Sequence, residues 1–512
     1  MRGVRAFLGA ALLVPGLAMA QLDFGDGGYV TFALTESLGV EGDSLALTGG
    51  AGEGDIIAAG RATFGEGTAI ILVRYDASGQ RDGGFGNVPE QGFVSLLPAD
   101  ILGSGAGVAP STPVSVLATG ETFTVVFATA SQELALVRFA QEGSVDTSFG
   151  TNGGLIVTPS GSGIQEMPRA ATLDSQGRIV VVGHRLVSGQ QQAAVWRLEQ
   201  DGEPDTGFAD DGVWVEPTAA LTSSSFRAVT LIGDDIVAAG EALQGSEQVF
   251  DRTGALTGDL VLRLDASGNP DEQFGVDGEV YLLGEIDEVP VNLASPGGIA
   301  AAGGRIAVTG RTMMPGPNLG YFLLLDAETG EVSGDLDDGW RVPLLADGVR
   351  AEGRGVAALD EGVFAVTGFG QDAAAQAEAL LITRFGPDDD DGFAQIDPAG
   401  LYPEVSPSGE HAGGNTARAY GSPAGSVLVA GFSNESGTSR LLLTRGFETP
   451  VDDDNDDDNG NGNDNGPIDN PIGGGGSGEP VGGGSSGGGP LGPLGLVLLG
   501  LLAVAVVRRR HR

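Results

Sequence analysis

The chain has 512 residues, with 89 glycines, 26 prolines, no cysteine, no lysine and a formal net charge of −43. Many turn formers beside only 6% aromatic residues suit short strands joined by tight turns and exclude a helical bundle, because glycine and proline destabilise helix interiors. The charge repels phosphate backbones and excludes nucleic acid as a partner. Without cysteine, core packing rather than disulfides must hold the fold.

Taken in chain order, residues 1–20 read as a secretory signal peptide. Arg2 and Arg5 precede an apolar stretch from Ala6 to Leu17, and Ala18-Met19-Ala20 is an A-x-A cleavage site. Signal peptidase is expected to cut between Ala20 and Gln21.

Residues 21–447 carry a repeat. A turn unit runs Phe24-Gly25-Asp26-Gly27-Gly28-Tyr29-Val30 and returns as Phe149-Gly150-Thr151-Asn152-Gly153-Gly154-Leu155 and as Phe274-Gly275-Val276-Asp277-Gly278-Glu279-Val280. Its glycine column is Gly28, Gly92, Gly153, Gly212, Gly278, Gly339 and Gly400, at spacings of 64, 61, 59, 66, 61 and 61. Between the turns lies an apolar strand ending in glycine, such as Arg178-Ile179-Val180-Val181-Val182-Gly183 or Asp235-Ile236-Val237-Ala238-Ala239-Gly240, with Thr124 to Phe127 as a degenerate second copy. A further apolar strand closes on an arginine column: Arg74, Arg138, Arg197, Arg263, Arg384 and Arg445, with Leu325 at the fifth place. Each repeat thus offers about four short strands at turn-marked intervals, which is one propeller blade. The fold expected is all-β: a seven-bladed β-propeller of four-stranded antiparallel blades. No eighth turn unit follows Arg445, so Tyr29 to Phe32 is expected to pair into the blade holding Val427 to Arg445 and close the ring.

These two half-motifs resemble the delta-60 repeat, a bacterial pattern pairing an L-D-x-x-F-G-x-x-G turn with a D-G-K-I-V-V-A-G strand. The resemblance spans roughly Leu22 to Gly446. It departs where Asp335 replaces the phenylalanine and where arginine or an acid replaces the lysine. It implies the propeller fold and no specific chemistry.

Residues 448–489 read as a linker, acidic from Asp452 to Asp458 and then glycine- and serine-rich. The acidic part could hold calcium loosely, but Ile472 stands where an EF-hand loop starting at Asn461 needs glutamate. Residues 490–512 hold an apolar run from Leu491 to Val507 and then Arg508-Arg509-Arg510-His511-Arg512. The run is expected to be a short transmembrane helix with the arginines cytoplasmic, a transient hold on the inner membrane. This tail resembles the GlyGly-CTERM sorting signal of Gram-negative bacteria. That resemblance implies cutting near Gly487, Gly488 and Gly489 by a rhombosortase-like intramembrane protease, with a membrane-anchored precursor and a mature form at the cell surface or secreted. A plain C-terminal anchor is the alternative.

No motif reads as catalytic or cofactor-binding. Asp82, Asp146, Asp205, Asp271 and Asp390 precede the turn phenylalanines and fit Asx-turns, while their spacing matches no calcium loop. The arginine column is placed to bridge to these aspartates, and an anion-binding channel is the less favoured use for it in so acidic a chain. His184, His411 and His511 form no metal pattern, and neither His184 nor His411 accompanies a nucleophile elbow. The function expected is a non-catalytic surface binding or adhesion module for a glycan or protein ligand. The rivals are an extracellular polysaccharide hydrolase or lyase and a purely structural surface component.

Overall fold

The computed structural model describes residues between 24 and 446, apart from short segments of which 245–255 is the longest, together with 504–506. Ala20, Gln21, Gly339, Asp390, the acidic stretch, Gly487 to Gly489 and His511 lie outside the described residues.

Four antiparallel strands recur as a unit: inner, second, third and outer. The first unit consists of Gly39–Leu47, Ile56–Phe64, Gly67–Tyr75 and Phe93–Leu96, paired in that order. The second consists of Ser115–Thr119, Thr122–Ala128, Leu134–Ala140 and Gly154–Ile156. The third, Gln165–Leu173, Ile179–Val187, Gln190–Leu198 and Val213–Val215, repeats the plan. The fourth begins with Leu221–Ile232, Asp235–Gln244 and Leu256–Leu264 and ends on Glu279–Ile286; the fifth runs from Leu293–Ala302 through Arg305–Thr312 and Leu319–Asp326 to Arg341–Pro343. The sixth holds Ala351–Ala358, Phe364–Gln371, Glu378–Pro387 and, on its outside, Phe393–Gln395 and Gly400–Tyr402.

The last unit is built from both ends of the fold. Ala412–Tyr420, Ser426–Glu435 and Thr438–Gly446 come from the C-terminal side, and Tyr29–Phe32 pairs with the third of these, Tyr29 opposite Thr444 and Phe32 opposite Leu441. The sequence repeat is therefore one strand out of phase with the structural unit, as the closure argument requires. Hydrogen bonding links this unit to the first through Gly39 and Ser439, which merges the two into one eight-stranded sheet.

Each sheet is apolar on both faces because each is sandwiched. Ala46, Ile57 and Leu72 of the first unit pack on Val116, Val125 and Val137 of the second. Equivalent clusters join each unit to the next along the chain. A final one sets Val40, Ile56 and Ile71 against Leu428, Leu441 and Leu443, so the last unit packs on the first. The turn phenylalanines Phe24, Phe85, Phe149, Phe208 and Phe274 are buried among these clusters, where each large ring contributes on the order of 2–3 kcal/mol of apolar burial.

One expectation needs correcting. Of the apolar C-terminal run, the described residues Val504–Val506 form a strand rather than part of a helix, antiparallel to Glu279–Ile286 with Val504 opposite Gly284. Valine is β-branched and favours strand over helix, and the outer strand of the fourth unit offers an unpaired edge. Among the described residues no helix is long and apolar enough to cross a membrane.

Candidate functional site

Of the two columns read from the sequence, the described glycines lie at the turns and strand starts and the arginines in the third strands, both away from the inner strands. Gly28, Gly92, Gly153, Gly212 and Gly278 all have φ between 70° and 100°, the left-handed region that side chains disfavour. Gly400 opens the strand Gly400–Tyr402. Arg74, Arg138 and Arg197 each touch three things. Their Nε atoms donate to Asp82 (2.8 Å), Asp146 (2.7 Å) and Asp205 (2.7 Å). Their guanidinium carbons sit over Phe85, Phe149 and Phe208 at 4.9, 4.5 and 4.5 Å. Their Nη1 atoms donate to the carbonyls of Gln141, Gln200 and Ala266 in the following unit. Arg263 follows suit, 3.3 Å from Asp271 and bonded to the Ala327 carbonyl. Arg384 occupies the matching strand position in the sixth unit, while Arg445 departs, bonding Ser426 and lying over Tyr420. The aspartates also close Asx-turns onto Gly84, Ser148, Gly207 and Gln273. The hydrogen bonds from Arg74 hold the Asp82 carboxyl below its usual range, and those from Ser148 do the same for Asp146. The arginine column is an inter-unit staple.

The candidate site arises from a different feature. In six units the inner strand carries a β-bulge opposite the glycine of the second strand. The register runs Gly42↔Gly60, Pro168↔Gly183, Phe226↔Gly240, Pro296↔Gly310, Gly353↔Gly368 and Gly414↔Gly431, with one residue skipped after each pair and, in the fifth unit, a second skipped before it. These second-strand glycines are needed because a Cβ at Gly60, Gly183, Gly240 or Gly368 would collide with the carbonyl oxygen of Glu41, Met167, Ser225 or Glu352. The second unit is the control. Its second strand has no glycine, and its inner strand pairs without a shift.

A bulge bends the strand and re-aims the extra side chain. The skipped residues Asp43, Arg169, Arg227, Gly297, Arg354 and Asn415, with Ser295 on the other side of the fifth-unit pair, all line a central channel of about 970 Å³, bounded by the inner strands. Arg61, Arg311 and Arg418 add three more guanidinium groups to its wall, and Glu41 and Glu352 two carboxylates. Among the described residues no aromatic side chain lines it.

The charges pair unevenly around the ring. On the first unit Arg61 is saturated, bonding Asp43 through Nε at 2.7 Å and Nη2 at 3.0 Å and Glu41 at 3.0 Å. Burial pushes the Asp43 carboxyl up, with Arg61 opposing it. Across the fifth and sixth units two arginines share one acid: Arg311 Nη1 and Arg354 Nε each reach Glu352 at 2.9 Å, and Arg354 also donates to Asn415 Oδ1 at 2.7 Å. Arg169 and Arg227 both lie in the field of Glu241. Arg227 donates to it at 2.8 Å and Ser295 Oγ at 2.8 Å, and the fields of Arg227 and Arg169 outweigh burial to hold the Glu241 carboxyl below its ordinary range. Burial and then the charge of Arg227 lower the basicity of Arg169. Arg418, accessible from the channel yet ringed by protein, is also lowered by desolvation and donates to the Leu45 carbonyl at 3.3 Å.

The histidines do not converge. His184 is buried behind the arginine wall with Nδ1 3.0 Å from Ser225 Oγ; burial, then Arg169 and Arg227, lower its pKa to about 4. His411 is exposed in the last unit and accepts a bond from the Glu378 backbone at 3.2 Å. Ser225 is itself buried, so the pair presents no accessible nucleophile. Among the described residues no cluster of His, Asp or Glu is arranged to hold a metal.

The channel arginines were missed in the sequence because the bulge has no residue signature of its own. The visible trace was the likeness of Arg169-Ala170-Ala171-Thr172-Leu173 to Arg227-Ala228-Val229-Thr230-Leu231, each 13 to 14 residues before the strand glycine.

One stretch of the chain matches a known family model. A family model described as "Domain of unknown function (DUF5122) beta-propeller" matches residues 175–208, the stretch from the second strand of the third unit through Arg197 and Asp205 to Phe208. A search of curated proteins finds no match. Among solved structures the chain is similar to Drosophila Semaphorin 2a at 6% identity and TM-score 0.46, covering 82% of this chain and 75% of that one. It is similar to the β-propeller domain of the Trilobed protease from Pyrococcus furiosus at 10% identity and TM-score 0.37, covering 80% and 97%. It is also similar to the polysaccharide lyase Uly1 at 8% identity and TM-score 0.45, covering 84% and 94%. The fold is a β-propeller.

Proposed function

We propose that the chain is an exported, seven-bladed propeller that binds a ligand at the cell surface or outside the cell without transforming it. The observation that supports this most directly is the state of the channel carboxylates: Asp43, Glu41 and Glu352 all lie in ion pairs with arginine. Paired hydrolytic carboxylates must be free to meet the substrate as acid and base, and here Arg61 engages both acids of the first unit while Arg311 and Arg354 engage Glu352. A wall built on inner strands and bulges is also rigid, which favours recognition by a preformed site. Seven clusters, each joining one unit to its neighbour and the last to the first, support the blade count.

Incubating the purified protein with a panel of extracellular polysaccharides tests the reading. Retention of one polymer with no new reducing ends and no unsaturated products is expected, and release of either product would replace it with the lyase or hydrolase alternative.

Export and processing belong to the same proposal, supported by the leader, the glycine-rich stretch and the basic tail of the sequence. The intact mass of protein recovered outside the cell should correspond to a chain starting at Gln21 and ending near Gly487 to Gly489. A mass that includes Arg508 to Arg512 would restore the plain anchor.

A further inference from the structure

We infer that the central channel is a receptor for oxyanions, and that the ligand it takes carries carboxylate or sulfate groups. The inference rests on the reading of the ring as a binding module and names the chemistry of what it binds. Six guanidinium groups, those of Arg61, Arg169, Arg227, Arg311, Arg354 and Arg418, line the wall. They face four carboxylates: Glu41, Asp43, Glu352 and, behind Arg227, Glu241. The channel is thus net positive inside a chain whose formal charge is −43.

The placement of the excess matters more than its size. The acids are concentrated on the first unit, where two of them saturate Arg61. From the third unit to the last the wall is an arc of arginines in which Glu352 serves two cations, Glu241 pairs with Arg227 while also feeling the charge of Arg169, and Arg418 has a neutral carbonyl partner. Two guanidinium groups offer about ten N–H donors to the few lone pairs of one carboxylate, so around Glu352 donors outnumber the lone pairs that carboxylate supplies. Arg227 Nε and Arg311 Nε lack any hydrogen-bond acceptor in the described structure. A cation held among other cations in a half-desolvated channel is costly, and an incoming oxyanion relieves that cost while accepting paired N–H bonds in the fork geometry that arginine provides. Four of the residues that build the wall sit at bulges, Asp43, Arg169, Arg227 and Arg354, where the backbone is bent to bring the side chain inward. Without aromatic rings to stack on among the described residues, neither a neutral sugar nor a nucleobase finds its usual platform. Charge is what this wall recognises.

Calorimetric titration of the full chain at about 0.15 M salt, where screening over about 8 Å suppresses repulsion from the outer surface, tests the inference. The probes are sulfate, citrate, trigalacturonate and the neutral maltotriose. Citrate and trigalacturonate should bind at least tenfold more tightly than maltotriose. Replacing Arg169 and Arg227 together by glutamine should weaken them at least tenfold, while Glu241→Gln, which removes the acid in whose field those two lie, should tighten them several-fold. Because the double variant strips two groups from a packed wall, its fold is checked by circular dichroism; Arg418→Gln, which leaves the groups around Glu241 and Glu352 intact, should weaken binding severalfold and serves if the double variant does not fold. Equal binding of maltotriose, or anion binding that survives Arg418→Gln undiminished and does not tighten in Glu241→Gln, overturns the inference. If no anion binds while a neutral polymer is retained, the channel inference fails and the binding-module reading stands; if trigalacturonate and citrate bind at the channel but no polymer is retained, the reverse holds.

Discussion

At the scale of single residues, two kinds of glycine carry the fold for different reasons. The turn column holds left-handed backbone, which is a local demand and reads out directly as a periodic letter. The second-strand column instead keeps Cβ away from a neighbouring carbonyl, a demand made by another strand. Its cause was therefore invisible in the sequence although the letter was plain. Gly240→Ala should force the Ser225 carbonyl away and destabilise the protein by about 1–3 kcal/mol. Gly65→Ala, where nothing lies within 4 Å of the added methyl, should stay within about 0.5 kcal/mol of the parent. Denaturant melts of the two variants check this, and equal midpoints would show that the bulge does not depend on the glycine. The channel side chains show the other limit of sequence reading. Asp43, Arg169, Arg227, Gly297, Arg354 and Asn415 share a register position but not a single residue type, so alignment by letter scatters them; the arginines that did form a column are staples.

At the scale of elements, strand order and closure were readable because turn units are counted easily: a turn unit before the first strand pair and none after the last leaves one strand to be shared. The register of Tyr29–Phe32 on Thr438–Gly446 satisfies that count. Thr444 Oγ1 further bonds the Gly28 carbonyl at 2.7 Å, and Phe32 stacks edge-on against Phe93 of the first unit at 5.1 Å. Deleting Leu22 to Phe32 removes this pairing, uncovers Leu441 and Leu443, and exposes a sheet edge. A fall in melting temperature of more than about 10 °C is expected by scanning calorimetry, given that losses of several kcal/mol each shift a domain of this size by about 2–4 °C per kcal/mol; an unchanged melt would mean that closure lies elsewhere. The C-terminal valine strand went the other way. Hydropathy alone predicted a helix, and the edge that pairs with Val504–Val506 belongs to a strand more than 200 residues earlier, which no local pattern announces.

At the scale of the whole molecule, composition speaks to class and exterior and says nothing of the interior. A chain at −43 argues against anion binding only if its charge is spread evenly, and a ring separates an outer face from an inner one. The wall of the channel and the outside of the blades are different electrostatic surfaces, and a net count averages them.

The shared last unit has a mechanical consequence. The chain enters the ring at Tyr29 and leaves it at Gly446 on adjacent strands, with the Arg445 amide bonded to the Gly28 carbonyl. Tension applied through whatever follows Gly446 runs along a strand flanked on both sides, by Ser426–Glu435 and by Tyr29–Phe32, and loads two ladders lengthwise rather than unzipping one. A body suspended from that point is held by its own clasp.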